Sequence, residues 1–173
     1  MQISQTSEQI AALKSLQDKC DLESISLLSC NACRAKSGIR FSEPFSAKPA
    51  LSNVSHAQEG DNFVVEVSFE YSAWDSSEPQ QRIFLINCSF EVCYRIRDSY
   101  IASDAERNSF SKGTAVFNCW PYAREYFSDI TARLGHPTPV LPLLRITAKK
   151  AEATAKPTQV PPVLTAPQSA LKE

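Results

Sequence analysis

Residues 117 to 145 read FNCWPYAREYFSDITARLGHPTPVLPLLR, a helical pattern that contains a proline, stops at a glycine and runs into an extended Pro/Leu segment. Val116, Trp120, Ala123, Phe127, Ile130 and Leu134 recur at alternating spacings of four and three, which places them on one stripe of a helix. Such a stripe must be buried. Arg124, Glu125, Asp129 and Arg133 lie off it and keep the opposite side wet. Pro121 has no amide hydrogen, so it either opens the main helix at its first position or kinks a longer one. Gly135 is placed to be the left-handed residue just past the helix end. Because Ala123 is small and central, the stripe has two readings: a core seam within the chain, or a close contact with another helix.

Upstream, the periodicity changes from helical to alternating. From Asn62 to Trp74, Phe63, Val65, Val67, Phe69, Tyr71 and Ala73 share one face, while Glu66, Ser68, Glu70 and Ser72 share the other. This is the pattern of a half-buried antiparallel strand. Asp75 to Gln80, DSSEPQ, reads as a turn. Arg82 to Ile96 then forms a second long strand, with Phe84, Ile86, Cys88, Phe90, Val92, Tyr94 and Ile96 on one face, so the two strands make a hairpin. Residues 22 to 47 read as extended. Thr6 and Gln9 have capping-box spacing, with Ile10, Leu13, Leu16 and Cys20 lining a short helix, and Ser103 with Glu106 predicts another helix from Asp104 to near Gly113. Strands come first and helices last, which predicts an α+β fold with an antiparallel sheet covered by helices on one face.

From Ala148 to Glu173 the chain has four prolines, no aromatic residue and no apolar periodicity, the composition of a disordered tail. About 147 residues remain, enough for one domain with a hydrophobic core. The expected division is an N-terminal segment over 1–21, a domain over 22–147 and the tail over 148–173. A net charge of -1 leaves no electrostatic footprint for nucleic acid. No apolar run is long enough to span a bilayer, and MQISQTSEQI lacks the basic and apolar regions of a signal peptide, so the expected location is the cytoplasm.

The chemistry-bearing residues are few. With four glycines and no GxxxxGK motif, the sequence has no phosphate loop and implies no ATP or other cofactor. CNAC at 30 to 33 offers Cys30 and Cys33 as half of a zinc site or a redox pair. On a strand, however, an i, i+3 pair points to opposite faces, and the same holds for Cys88 and Cys93. Small thiols in a reducing compartment are the simpler reading. His56 and His136 lie in loop-like contexts with no nucleophile motif, which leaves a Cys119–His136 thiol mechanism without support and points away from an enzyme.

The run Trp120, Pro121, Tyr122, Ala123, Arg124, Glu125, followed by Arg133 and Gly135 and then Pro137, Pro139, Leu141, Pro142 and Leu143, resembles the signature region of SecB, the bacterial export chaperone family. Motif-level similarity covers 117 to 145, and the layout of elements matches over roughly 22 to 146. The resemblance implies a four-stranded antiparallel sheet with a long helix across it, assembled as a homotetramer that is a dimer of dimers. It also implies an ATP-independent holdase for unfolded polypeptide. Val116, Ala123, Phe127 and Ile130 are then the expected subunit contacts. Trp74, Phe84, Phe90, Trp120, Tyr122 and Tyr126 are the expected client-binding aromatics, since aromatic side chains offer large contact area at low rotamer cost. Two client classes follow from the family: exported preproteins passed to the SecA translocase, or a dedicated antitoxin in a toxin-antitoxin-chaperone system linked to phage defence. Near-neutral charge, and a Lys/Ala/Pro tail in place of the family's further C-terminal helix, fit the second better. The reading from another class is a small metal- or ligand-binding α+β domain that uses CNAC.

The tail's composition buries too little apolar surface to offset its ordering entropy. Deleting residues 151 to 173 is therefore expected to leave the melting temperature unchanged, and a large fall in a thermal denaturation scan would show that the tail docks on the domain.

Overall fold

The computed structural model describes residues 1–34, 45–76 and 81–148. The tail beyond Ala148, most of the turn at 75–80 and part of the extended stretch at 22–47 lie outside the described residues. The elements in order are β1 (Gln2–Gln5), α1 (Ser7–Gln17), β2 (Cys20–Arg34), β3 (Phe45–Glu59), β4 (Asn62–Asp75), β5 (Arg82–Ile96), α2 (Asp104–Phe110), α3 (Val116–Arg133) and β6 (Arg145–Ala148). None of the described helices is long and apolar enough to cross a membrane.

Strands β2 to β5 form an antiparallel sheet in the order β2-β5-β4-β3. The alternation decides which way it faces. Phe63, Val65, Val67, Phe69, Tyr71 and Ala73 of β4 and Phe84, Ile86, Cys88, Phe90, Val92, Tyr94 and Ile96 of β5 are all buried under the helices. The other face carries Glu66, Ser68, Glu91 and Arg95, and there the Ser68 and Ser89 hydroxyls meet at 2.8 Å. A second, two-stranded sheet pairs β1 with β6 in parallel, from Gln2 opposite Arg145 to Gln5 opposite Ala148. It was not anticipated, because strands this short show too few alternations to be read. Ala148, expected in the tail, ends this strand.

The helix layer begins with α1, whose capping box joins Thr6 Oγ1 to the Gln9 amide at 3.2 Å and Gln9 Oε1 to the Thr6 amide at 2.9 Å. Leu13 and Leu16 are buried, but the helix ends at Gln17 and Cys20 belongs to β2 rather than to the helix face. The Ser103–Glu106 box opens α2 as expected, with bonds of 2.8 and 3.3 Å. Gly113 does not stop it. The chain passes through a π-helical turn, Ser111–Ala115, and continues into α3. Gly113 serves instead for close approach: a Cβ there would lie 2.2 Å from Leu13 Cδ1 of α1 and 3.0 Å from Gln5 Nε2.

Pro121 lies inside α3. The helix accepts the missing donor because its buried stripe holds it to the sheet, a case of packing overriding propensity. At the other end, Gly135 takes φ +79°, its amide bonds Ala132 O at 3.0 Å, and the His136 amide bonds Thr131 O at 3.1 Å. Together these two bonds make a Schellman cap that satisfies carbonyls of the last turn.

A carboxylate joins α1 to α2. Glu106 accepts hydrogen bonds from the Ser103 amide, the Ser103 hydroxyl and the Tyr100 phenol at 2.8 Å, and from Ser15 Oγ at 2.7 Å. Partial burial alone would raise its pKa, but these four donors outweigh burial and hold the carboxyl at about 2. A depressed pKa means stabilisation present above the unfolded value of 4.5 and lost as pH falls toward 2. Acid titration of the melting temperature should show this loss between those values, and Glu106→Gln should flatten that limb while lowering stability at neutral pH.

Candidate functional site

The inward side of α3 is Val116, Cys119, Trp120, Ala123, Phe127 and Thr131, all buried against the sheet. Ring contacts carry the seam: Phe69 to Trp120 at 5.6 Å and Tyr71 to Phe127 at 5.3 Å between centroids. After Gly135 the Pro/Leu segment returns along the helix. Trp120 Nε1 donates to the Pro142 carbonyl at 3.0 Å, and Leu141 and Leu144 are buried. The His136 ring packs at a tilt 5.0 Å from Phe84 and edge-to-face 6.3 Å from Phe45 of β3. Burial lowers the pKa of its imidazole, with the Arg34 charge adding to the effect. On this side of the sheet the inward positions of β3, namely Ala47, Pro49, Leu51, Val54, His56 and Gln58, are half-buried.

The opposite edge is bare. Two register shifts, at Glu23 and Leu28, keep Leu22, Ile25, Leu27, Cys30 and Ala32 of β2 all on the helix-facing side, opposite Tyr94, Val92, Phe90, Cys88 and Ile86 of β5. Yet Leu22 is 48% exposed and Leu27 49%, because the helix layer thins over β2. The flank of α3 above them presents Asn118, Tyr122 and Tyr126. Tyr122 lies 6.4 Å from Phe90 and is 47% exposed. Asn118 Nδ2 donates to the Tyr94 phenol at 3.0 Å. Burial raises the pKa of the Tyr126 phenol, and a hydrogen bond to Cys30 raises it further. The result is an apolar strip on β2 beside an aromatic flank of α3, with no charged side chain on that face of β2 between Leu22 and Ala32.

The aromatics expected to bind clients divide on this structure. Tyr122 is exposed, and Trp74 and Tyr126 are half-buried. Phe84, Phe90 and Trp120 are core residues, buried because they share the inward face with the helix stripe. Of the expected subunit contacts, Val116, Ala123 and Phe127 are fully buried within the chain, and Ile130 is half-buried. In this fold that stripe is a core seam, not a free surface. Sequence reasoning missed Leu22 and Leu27, and it singled out Cys30 only as half of a metal or redox pair. The signal of the leucines was a Leu/Ile series whose spacing drifts, which neither template of period 2 nor of period 3.6 recognises.

Cys30 and Cys33 sit opposite Cys88 and Leu85, so they face different sides of the sheet. Among the described residues no group of three His, Cys, Asp or Glu side chains stands ready to hold a metal ion. Cys88 and Cys119 are both buried, and burial pushes both thiols up to about 12.

No family model matches the chain, and no curated protein matches it. Among solved structures it is similar to a SecB-like chaperone of Mycobacterium tuberculosis, determined in complex with a ChAD peptide from the HigA1 antitoxin. The TM-score is 0.69 at 19% identity, over 79% of this chain and 99% of that one. A protein of unknown function from Streptococcus agalactiae shares 10% identity at a TM-score of 0.42, over 72% of this chain and 98% of that one, too weak a likeness to carry an argument. The fold is SecB-like: a four-stranded antiparallel sheet crossed by a long helix from the second half of the chain.

With Ala123 fully buried, Ala123→Arg places a charge in the seam between α3 and the sheet. It should unfold the domain or lower its stability by about 3 kcal/mol or more, measured by denaturant titration. A folded variant that merely dissociates would return this residue to a subunit interface.

Proposed function

We propose that this protein is a SecB-like, ATP-independent holdase whose client lies along the apolar strip of β2 beside α3. The observation that carries the reading is the apolar floor of β2, left uncovered by a helix layer that buries the inward faces of β4 and β5 and half-buries that of β3. A folded domain gains by covering such a strip, and covering a half-exposed leucine contributes about 1 kcal/mol. An uncharged floor beside tyrosines suits an extended apolar segment of variable sequence, because aromatic and leucine surfaces accept many side chains. Tyr126 contributes what it exposes beside that path, whereas Trp74 stands on β4 on the opposite face of the sheet and lies away from it.

An antitoxin segment is the client we favour. The M. tuberculosis chaperone of the same fold holds an antitoxin peptide. The near-neutral charge supports this reading over general export and transfer to SecA. We further place the protein in the cytoplasm, where six free cysteines are compatible with a reducing environment. The outer backbone edge of β2 is paired on one side only among the described residues. A strand of 15 residues with such an edge invites pairing, and we assign it to another copy within a homo-oligomer, a tetramer by analogy with the family.

The experiment is suppression of aggregation of an unfolded protein without nucleotide, repeated with an apolar antitoxin-derived peptide as competitor. Leu27→Asp combined with Tyr122→Ser changes only exposed side chains, so the melting temperature should hold. The concentration needed for half-suppression should rise about tenfold or more, the equivalent of losing at least 1.4 kcal/mol of binding. A folded double variant with full activity would place the client elsewhere.

A further inference from the structure

Two cysteines face each other across the edge of the sheet. Cys30 of β2 is the cross-strand partner of Cys88 of β5, on the helix-facing side of the sheet. The two paired thiols differ sharply in access: Cys30 is exposed, whereas Cys88 is 1% exposed. Directly opposed residues in an antiparallel pair hold their Cβ atoms roughly 4.5 to 5.5 Å apart, and a disulfide needs about 3.5 to 4.5 Å. Closing the remaining distance takes a shift of about 1 Å.

We propose that Cys30 and Cys88 are a peroxide-responsive dithiol that closes reversibly into a disulfide and ties the edge strand covalently to its neighbour. In the first step the Cys30 thiolate attacks the O–O bond of a hydroperoxide. An S–O bond forms, the O–O bond breaks, and the leaving alkoxide or hydroxide takes a proton from water, which leaves Cys30 as a sulfenic acid. In the second step the Cys88 sulfur attacks the Cys30 sulfur. The S–S bond forms as the S–O bond breaks, and the departing hydroxide takes up the Cys88 proton as water. Two thiols lose two electrons to one hydroperoxide, and a dithiol reductant reverses the change.

Access sets the order of events. An oxidant meets Cys30 first, because Cys88 and Cys119 lie under α3. Burial holds the Cys88 thiol at about 12, which keeps it protonated and makes closure the slow step. Cys33 faces the opposite side of the sheet, opposite Leu85, and takes no part. The chemistry is independent of the holdase reading, although the bond would form in the same strip.

The full chain is treated with hydrogen peroxide, alkylated with iodoacetamide and digested without reduction for mass spectrometry. The expected product is a Cys30–Cys88 linked peptide that dithiothreitol removes. The intact oxidised protein should melt at a higher temperature than the reduced one. Cys30→Ser, at an exposed position, keeps the fold and should abolish both effects, and Cys88→Ala should leave Cys30 as a trappable sulfenic acid. The proposal is overturned if Cys30 stays unmodified, if it accumulates as sulfinic acid in the unaltered protein, if it links to Cys30 of another molecule, or if Cys88 pairs with Cys119.

Discussion

The seam between α3 and the inward face of β4 and β5 organises this molecule. Val116, Trp120, Ala123 and Phe127 meet Phe69, Tyr71 and their neighbours with ring separations of 5.3 to 5.6 Å where aromatics touch. Fully burying one such side chain contributes roughly 1.5 to 3 kcal/mol, so this seam outweighs local costs such as a proline inside a helix. It also explains why the two readings of the stripe were not equally available. A sheet face this apolar requires a cover, and the stripe is the longest one in the chain.

The cover is narrower than the sheet. One helix and the Pro/Leu segment beside it reach from β5 across to β3, where Phe45, His136 and Phe84 close the layer. Over β2 it thins, and Leu22 and Leu27 stay half-exposed. The indole of Trp120 contributes to this asymmetry, since its bond to the Pro142 carbonyl draws the returning segment to the β3 side of α3. The bare floor at Leu22 and Leu27 is thus a consequence of how the core is roofed, and the proposed client path follows from that geometry.

Polar contacts do different work from the seam. Glu106 gathers four donors at the junction of α1 and α2, and Arg107 reaches across to the Ala102 carbonyl and to Gln58 of β3. These bonds fix the short helices at one end of the sheet. Surface ion pairs such as Arg95 with Glu23 and Arg97 with Asp21 run from β5 and the turn after it to the edge strand β2, and as exposed pairs they contribute little energy. The edge strand therefore rests mainly on its ladder with β5.

Much of the fold was legible because period and caps are local properties. The alternation of β4 and β5, both capping boxes, the stripe of α3 and the Gly135 cap are each set by residues within a few positions of one another. The SecB-like pattern around Trp120 to Glu125 added the arrangement of those pieces. The rest depended on long-range packing. Strand β2 hid its inward face behind two register shifts, β1 found its partner 143 positions away in β6, and Gly113 read as a stop only until Leu13 was brought against it. For Phe84, Phe90 and Trp120 the apolar face and the helix stripe were legible, but whether this chain or a client covers them was not. An aromatic residue on an apolar face is core or surface according to what lies over it, and only the tertiary structure decides how far the roof extends.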